Sequence, residues 1–220
     1  MKSDYKHIEI KVIDIFLPFS IDIHSCLFVC FSLLGFLPDR KIAVLPVGLN
    51  FDGRSAVIRS QQTHLTRALC NAMMAAAETS ICVFNSGAIR IDDQLMETIT
   101  EYDILRCLPF AADVIIVRVT GSILVKVLNR GLANINTGMF ISYAGVNYDP
   151  IEGKWFLSST GQLLDDEHLQ LQLASIPYFF HNTVLKDFAE FTATPVTITR
   201  AFIEYLERAY PRENHPQKLS

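Results

Sequence analysis

The chain has 220 residues and a formal net charge of −4, with half of its residues apolar and 19% charged. That composition can bury a sizeable core and excludes disorder over most of the length. The acidic balance counts against a non-specific nucleic-acid binder, which needs a basic face. The five cysteines, Cys26, Cys30, Cys70, Cys82 and Cys107, form no C-x-x-C pair. They signal neither a zinc ribbon nor a disulfide framework and read as buried free thiols.

Residues 1–40 are rich in Ile, Phe and Leu but show no clear period and no cap. The uncharged run Ser25–Pro38 is shorter than the roughly 20 residues that a bilayer span needs. Asp4, Glu9, Asp14 and Asp22 stand where a signal peptide would be basic, and no A-x-A site follows. The segment reads as a hydrophobic, non-family leader or strap. Membrane association through residues 25–38 is the weaker reading, and a cytoplasmic location is slightly favoured over export.

From Lys41 the pattern becomes orderly. Lys41–Gly48 reads as a short strand that Pro46 ends or places at an edge. Asn50–Gly53 reads as a turn, and Ala56–Arg59 as renewed strand. Thr63 is placed to cap a helix carrying Leu65, Leu69, Ala72, Met73 and Ala76 at helical spacing. Ile81–Asn85 is a short apolar strand that Ser86-Gly87 ends. Thr100-Glu101-Tyr102-Asp103 has the form of a capping box and opens a short helix ending near Pro109. Val114–Val119 reads as strand, and Gly121-Ser122 opens a helix that closes near Gly131. Met139–Tyr148 and Lys154–Leu157 suggest a hairpin about residues 149–153. Leu169–Ile176 alternates as a half-buried strand. Thr199 starts a last helix with Phe202, Ile203, Leu206 and Tyr210 facing inward, and Asn214–Ser220 is a polar tail. Mixed strands and helices with at least one hairpin predict an α+β fold of mixed layers, with sheets flanked by helices.

The run Asn85-Ser86-Gly87-Ala88-Ile89-Arg90 carries the most chemistry. A strand delivers an amide to a turn of small residues, where a ligand can approach the backbone closely. The Asn amide can donate and accept, and the Arg fork suits a phosphate or a base edge. The bland alternative is a tight turn with an ion pair to Asp92 or Asp93.

This run resembles the N-[GS]-G-x-[IFS]-R motif of the C-terminal domain of the 5′-nucleotidase family. Further stretches match that domain in the same order. Leu49–Arg59 resembles its opening strand and turn, and Gln61–Met73 its E-T-N-L-G-N-L helix start. Ile99–Phe110 resembles its I-T-x-x-D to L-P-F segment, Val119–Leu128 the following v-x-G-s-x-L run, and Gly138–Pro150 the strand carrying Y-D-P. The resemblance covers about Lys41–Arg208. It implies a domain over residues 41–212 between the leader and a tail at 213–220.

In that family the C-terminal domain binds the nucleotide, while a separate N-terminal metallophosphatase domain holds two metals and hydrolyses the phosphate ester. The resemblance therefore implies that Asn85 and Arg90 contact the base and phosphate side of a substrate. It makes Arg59 a further phosphate contact and Phe110, after Leu108-Pro109, one wall of an aromatic clamp on the base. The second wall comes from a G-G-D-G-F-like loop in many members. Here residues 179–188 lack the glycines, Phe188 is the nearest match, and Phe179 is a core candidate. Gln61 stands where some members place a binding Arg, and Gln62, His64, Thr66 and Arg67 replace the family's residues in E-T-N-L-G-N. His64, His168 and His181 read as surface residues, and Trp155 as packing.

Two-metal hydrolysis needs a cluster of Asp, His and Asn ligands. Asp22-Ile23-His24 fits D-x-H, but no G-D, G-N-H or G-H-x-H follows it, so the match reads as coincidence. The expectation is a nucleotide-binding domain that is not catalytic alone, with no catalytic residue and no cofactor in this chain. Divalent metals are expected only in a metallophosphatase domain. The expected partners are a nucleotide or nucleoside and, on the alternative of a split nucleotidase, a metallophosphatase chain acting in trans, with no nucleic acid. A non-catalytic scaffold or interaction module is the remaining alternative.

Overall fold

The computed structural model describes residues 40–212. The leader through residue 39, with Cys26, Cys30 and the Asp22–His24 run, lies outside the described residues, as does the tail from 213.

Strand β1 (Lys41–Val44) buries Ile42 and Ala43, and Pro46 follows its end. Asn50–Asp52, expected as part of a turn, is a second strand, β2, which pairs antiparallel with β4 (Gln94–Met96). Ala56–Arg59, expected as strand, is instead a helical turn, α1 (Ser55–Ile58). The cause is local. Asp52 Oδ1 accepts from the backbone N–H of Arg54 at 3.0 Å, and Asp92 Oδ1 accepts from that of Ser55 at 2.7 Å. Two carboxylates thus satisfy N–H groups at the start of this turn that would otherwise be orphaned.

Helix α2 (His64–Ala77) begins as expected. The Thr63 hydroxyl accepts from the N–H of Thr66 while the Thr66 hydroxyl accepts from the N–H of Thr63. Its inner face, including Leu65, Leu69 and Met73, is fully buried. Strand β3 (Cys82–Asn85) is buried throughout. Strand β5 (Thr98–Thr100) pairs with β1 and runs into α3 (Glu101–Cys107) through the capping box of Thr100 and Asp103.

Strand β6 (Asp113–Thr120) leads into α4 (Gly121–Ala133). Gly131 does not close this helix but lies inside it. A Cβ there would stand 2.2 Å from Ile141 Cγ2, so its bare backbone is what lets the helix meet the sheet. The long strand expected over Met139–Tyr148 is broken at Gly145, which has φ +83° and has Ser80 O where a Cβ would stand. Strand β7 (Ile141–Ala144) pairs with β3. Beyond the break, β8 (Val146–Asp149) forms the expected hairpin with β9 (Lys154–Leu157). Trp155 on that hairpin is buried and donates from Nε1 to Asn129 Oδ1 at 2.8 Å.

Strand β10 (Gln170–Ser175) is only partly the half-buried strand expected. Leu173, Ala174 and Ser175 are all buried, because β10 lies between β6 and β3. Two short helices, α5 (Pro177–His181) and α6 (Leu185–Phe188), lead to β11 (Glu190–Thr197). Strand β11 was not expected. It is largely exposed and contains Pro195, which suits an edge, and its register slips between Ala193 and Thr197. The last helix, α7 (Ile198–Ala209), starts one residue earlier than expected, with the Thr197 hydroxyl accepting from the N–H of Arg200.

The main sheet has the order β11-β6-β10-β3-β7. It is antiparallel except for the β10–β3 pair. Helix α2 packs on this sheet and against α7, and α4 packs on β6 and β7. This is the α+β arrangement that the pattern of elements predicts. Cys70, Cys82 and Cys107 are free and buried, as expected.

Candidate functional site

The site forms where β3 runs out. Its last residue, Asn85, is 3% exposed. The turn Ser86–Ala88 is then pinned to the segment before β7: Ser86 N donates to Phe140 O at 2.7 Å and Gly87 N to Gly138 O at 2.9 Å. A Cβ on Gly87 would stand 2.7 Å from Gly138 O, so the small residue is required for this approach. Asn85 Nδ2 also donates to Gly138 O, at 3.1 Å. A carbonyl only accepts, which fixes the orientation of the amide. Asn85 Oδ1 is left buried without a hydrogen-bond partner.

Arg90 follows five residues later. Its backbone N–H donates to Cys107 O at 2.9 Å, which ties it to the end of α3. Its guanidinium lies 5.7 Å from the centroid of the Phe110 ring, within cation–π range. Phe110 is 62% exposed, and Ala111 after it adopts φ +44°, a left-handed conformation uncommon for alanine. Burial pushes the neighbouring Cys107 thiol up to about 12, so it stays protonated and inert.

Arg59 comes from the end of α1. Asn136 N donates to its carbonyl at 2.8 Å. Its Nε is buried and has no hydrogen-bond partner. Neither Arg59 nor Arg90 is in an ion pair with a described carboxylate.

Asn85, Arg90, Phe110 and Arg59 line one cavity of about 600 Å³. That volume lies within the range of small-molecule sites. The rest of the lining is mostly apolar, and none of the described residues lining it is Asp or Glu. Phe188 does not reach it. That ring is 64% exposed and borders a separate shallow depression with Arg118 and Asp187. The aromatic side chain that does line the cavity opposite the sequence expectation is Tyr178, 58% exposed, on the first turn of α5. The signal was Pro177, which sets φ for the first helical position and starts the helix beside the cavity. Phe179, next to it, faces the core and is 1% exposed.

The altered start of α2 has a structural use. Gln62 Nε2 donates to Ile141 O at 2.7 Å, and Gln62 Oε1 accepts from Tyr143 N at 3.1 Å. The side chain thus pairs with the backbone of edge strand β7. Gln61 is exposed and does not line the cavity, and His64, His168 and His181 are exposed. Among the described residues no group of three His, Cys, Asp or Glu side chains is arranged to hold a metal ion. No described helix is long and apolar enough to cross a membrane.

Residues 41–168 match the family described as the 5′-nucleotidase C-terminal domain. The chain is 31% identical over 104 residues to a 5′-nucleotidase of Vibrio cholerae, covering 47% of this chain and 19% of that protein. It is 28% identical over 116 residues to a trifunctional nucleotide phosphoesterase protein of Bacillus subtilis, covering 50% of this chain and 8% of that protein. The match thus spans about a fifth or less of these relatives. Among solved structures, a 5′-nucleotidase precursor from Thermus thermophilus superposes with a TM-score of 0.70 at 20% identity, over 84% of this chain and 40% of that one. A putative 5′-nucleotidase from Staphylococcus aureus gives 0.63 at 15% identity, over 90% and 43%. With more than half of its residues matched by the family pattern and its fold shared with these structures, the chain belongs to the 5′-nucleotidase C-terminal domain family.

Proposed function

We propose that this domain binds a nucleotide or nucleoside in the cavity between Asn85, Phe110 and Tyr178. A flat base stacks against the exposed rings of Phe110 and Tyr178. Its edge offers an N–H to Asn85 Oδ1, and the phosphate side meets Arg59 and Arg90. The observation that carries this reading is that Asn85, Arg59, Arg90, Phe110 and Tyr178 line one cavity, where Asn85 and Arg59 each also hold a buried polar atom without a hydrogen-bond partner. A buried polar atom without a partner costs about 1–3 kcal/mol, and a ligand that supplies a donor to one and an acceptor to the other recovers it.

The domain supplies binding and no hydrolytic centre in this proposal. The divalent metals implied by the family have no donor cluster among the described residues. As the family resemblance implies, phosphate ester hydrolysis belongs in this proposal to a metallophosphatase domain that would work with this one. A crystal structure of the protein with AMP tests the binding mode. The expected result is a base between Phe110 and Tyr178. AMP bound outside the cavity, or an empty cavity at saturating AMP, overturns it.

A further inference from the structure

A second cavity, of about 120 Å³, lies where two helices end. Asn134 caps the C-terminus of α4 and Asn182 that of α5, and both line it. Each turns its amide back in the same way. Asn134 Nδ2 donates to Arg130 O at 2.9 Å, and Asn182 Nδ2 to Tyr178 O at 2.8 Å. A carbonyl only accepts, so the NH₂ group of each amide is the one engaged. Asn134 Oδ1 and Asn182 Oδ1 are left without a partner among the described residues. The C-terminal end of α4 adds its own partial negative charge, and the surroundings favour a cation.

Arg130 brings the opposite preference. It stands in the last turn of α4, four residues before Asn134, so the two side chains are neighbours on one face of the helix. Arg130 lines the cavity, and its guanidinium has no ion pair or hydrogen bond among the described residues. A free guanidinium fork suits a carboxylate. The Thr183 hydroxyl is engaged, donating to Phe180 O and accepting from Leu185 N, both at 3.4 Å. Val127, Met139, Phe179 and Val184 supply an apolar lining. Water takes about 30 Å³ in the liquid, so the space admits a ligand of about half a dozen non-hydrogen atoms.

We infer that this cavity is a site for a small zwitterionic α-amino acid of about the size of alanine. A plain anion leaves both amide oxygens unused, and a plain amine leaves the guanidinium unused. An α-amino acid carries both charges on one carbon. Its carboxylate meets Arg130, its ammonium donates to Asn134 Oδ1 and Asn182 Oδ1, and its short side chain meets the apolar lining. Met139 is the one lining residue shared with the nucleotide cavity, and no polar side chain is shared. The inference therefore stands independently of nucleotide binding.

Calorimetric titration of the full chain with alanine, acetate, ethylamine and tryptophan tests it. Alanine should bind one to one with a Kd of about 1 mM or below, a modest affinity for so small a ligand. Acetate and ethylamine, each keeping one charge, should bind at least about tenfold more weakly, the scale of one lost charge-assisted hydrogen bond. Tryptophan, too large for the space, should not bind. Arg130→Gln and Asn182→Ala each remove one polar arm, and each should weaken alanine about tenfold. Both side chains are exposed, and a thermal melt checks that the variants stay folded. The inference is overturned if alanine gives no saturable heat, or if acetate, ethylamine or tryptophan binds as tightly as alanine. It is also overturned if either folded variant binds alanine as wild type does.

Discussion

The guanidinium of Arg90 stands 5.7 Å from the ring centroid of Phe110, and its backbone N–H is bonded to Cys107, three residues before that ring. The charge and the aromatic wall are therefore delivered as one unit by the end of α3 and the turn after β3. Phe110 has few packing obligations, since most of its surface is exposed. Stacking a base on a ring contributes about 1–3 kcal/mol. Phe110→Ala should weaken AMP binding about tenfold or more and leave the melting temperature within about 1–2 °C of wild type, as surface changes do. Titration and a thermal melt of the same sample check both.

The two candidate second walls give opposite expectations. Tyr178 lines the cavity and Phe188 does not. Tyr178→Ala should weaken AMP about as much as Phe110→Ala does, whereas Phe188→Ala should change affinity by less than about twofold. Parallel titrations of the two variants check this ordering.

Gly87 is set by the backbone it meets. A methyl group there would press on Gly138 O, and the hydrogen bond from Gly87 N to the same carbonyl leaves that atom little room to retreat. Gly87→Ala should cost about 1–3 kcal/mol of stability, the usual scale of overpacking. It should also weaken AMP, because Gly138 O orients the Asn85 amide. Urea unfolding and titration measure the two effects.

Asp52 makes stability depend on acid. Its carboxylate accepts from the Arg54 side chain at 2.6 Å and from Gln94 Nε2 at 3.0 Å. The Arg54 hydrogen bonds lead in lowering its pKa from 3.8 to about 2, against the opposing effect of burial. A depressed carboxyl pKa means that the unfolded chain binds the proton more readily. The contribution is full above about pH 4 and is lost as pH falls towards 2. Asp52→Asn should lower stability at pH 7 and flatten its fall between pH 4 and 2. Denaturation midpoints across that range provide the measurement.

Much of the fold was legible because its signals are local. The cap Thr63 and the capping box of Thr100 and Asp103 act within three residues, and the inner face of α2 repeats at helical spacing. What escaped was set by distant partners. Ala56–Arg59 is apolar enough to read as strand, yet Asp92, 37 residues from Ser55, holds it helical. Strand β11 alternates over Glu190–Thr194, but its burial does not follow that pattern, since its place comes from pairing with β6. In the site, Asn85 and Arg90 stand out because they lie five residues apart in one run, whereas Phe110 and Arg59 are named through the family resemblance. Tyr178 enters from beyond β10, and only the folded sheet brings its helix to the cavity.

The central claim is that one cavity, walled by Phe110 and Tyr178, holds a nucleotide. Titrating AMP into wild type and into the Phe110→Ala, Tyr178→Ala double variant tests it most directly. The account predicts saturable one-to-one binding to wild type, and its loss in a double variant that melts at the wild-type temperature. Binding of equal strength to both proteins, or no saturable binding to wild type, would contradict it.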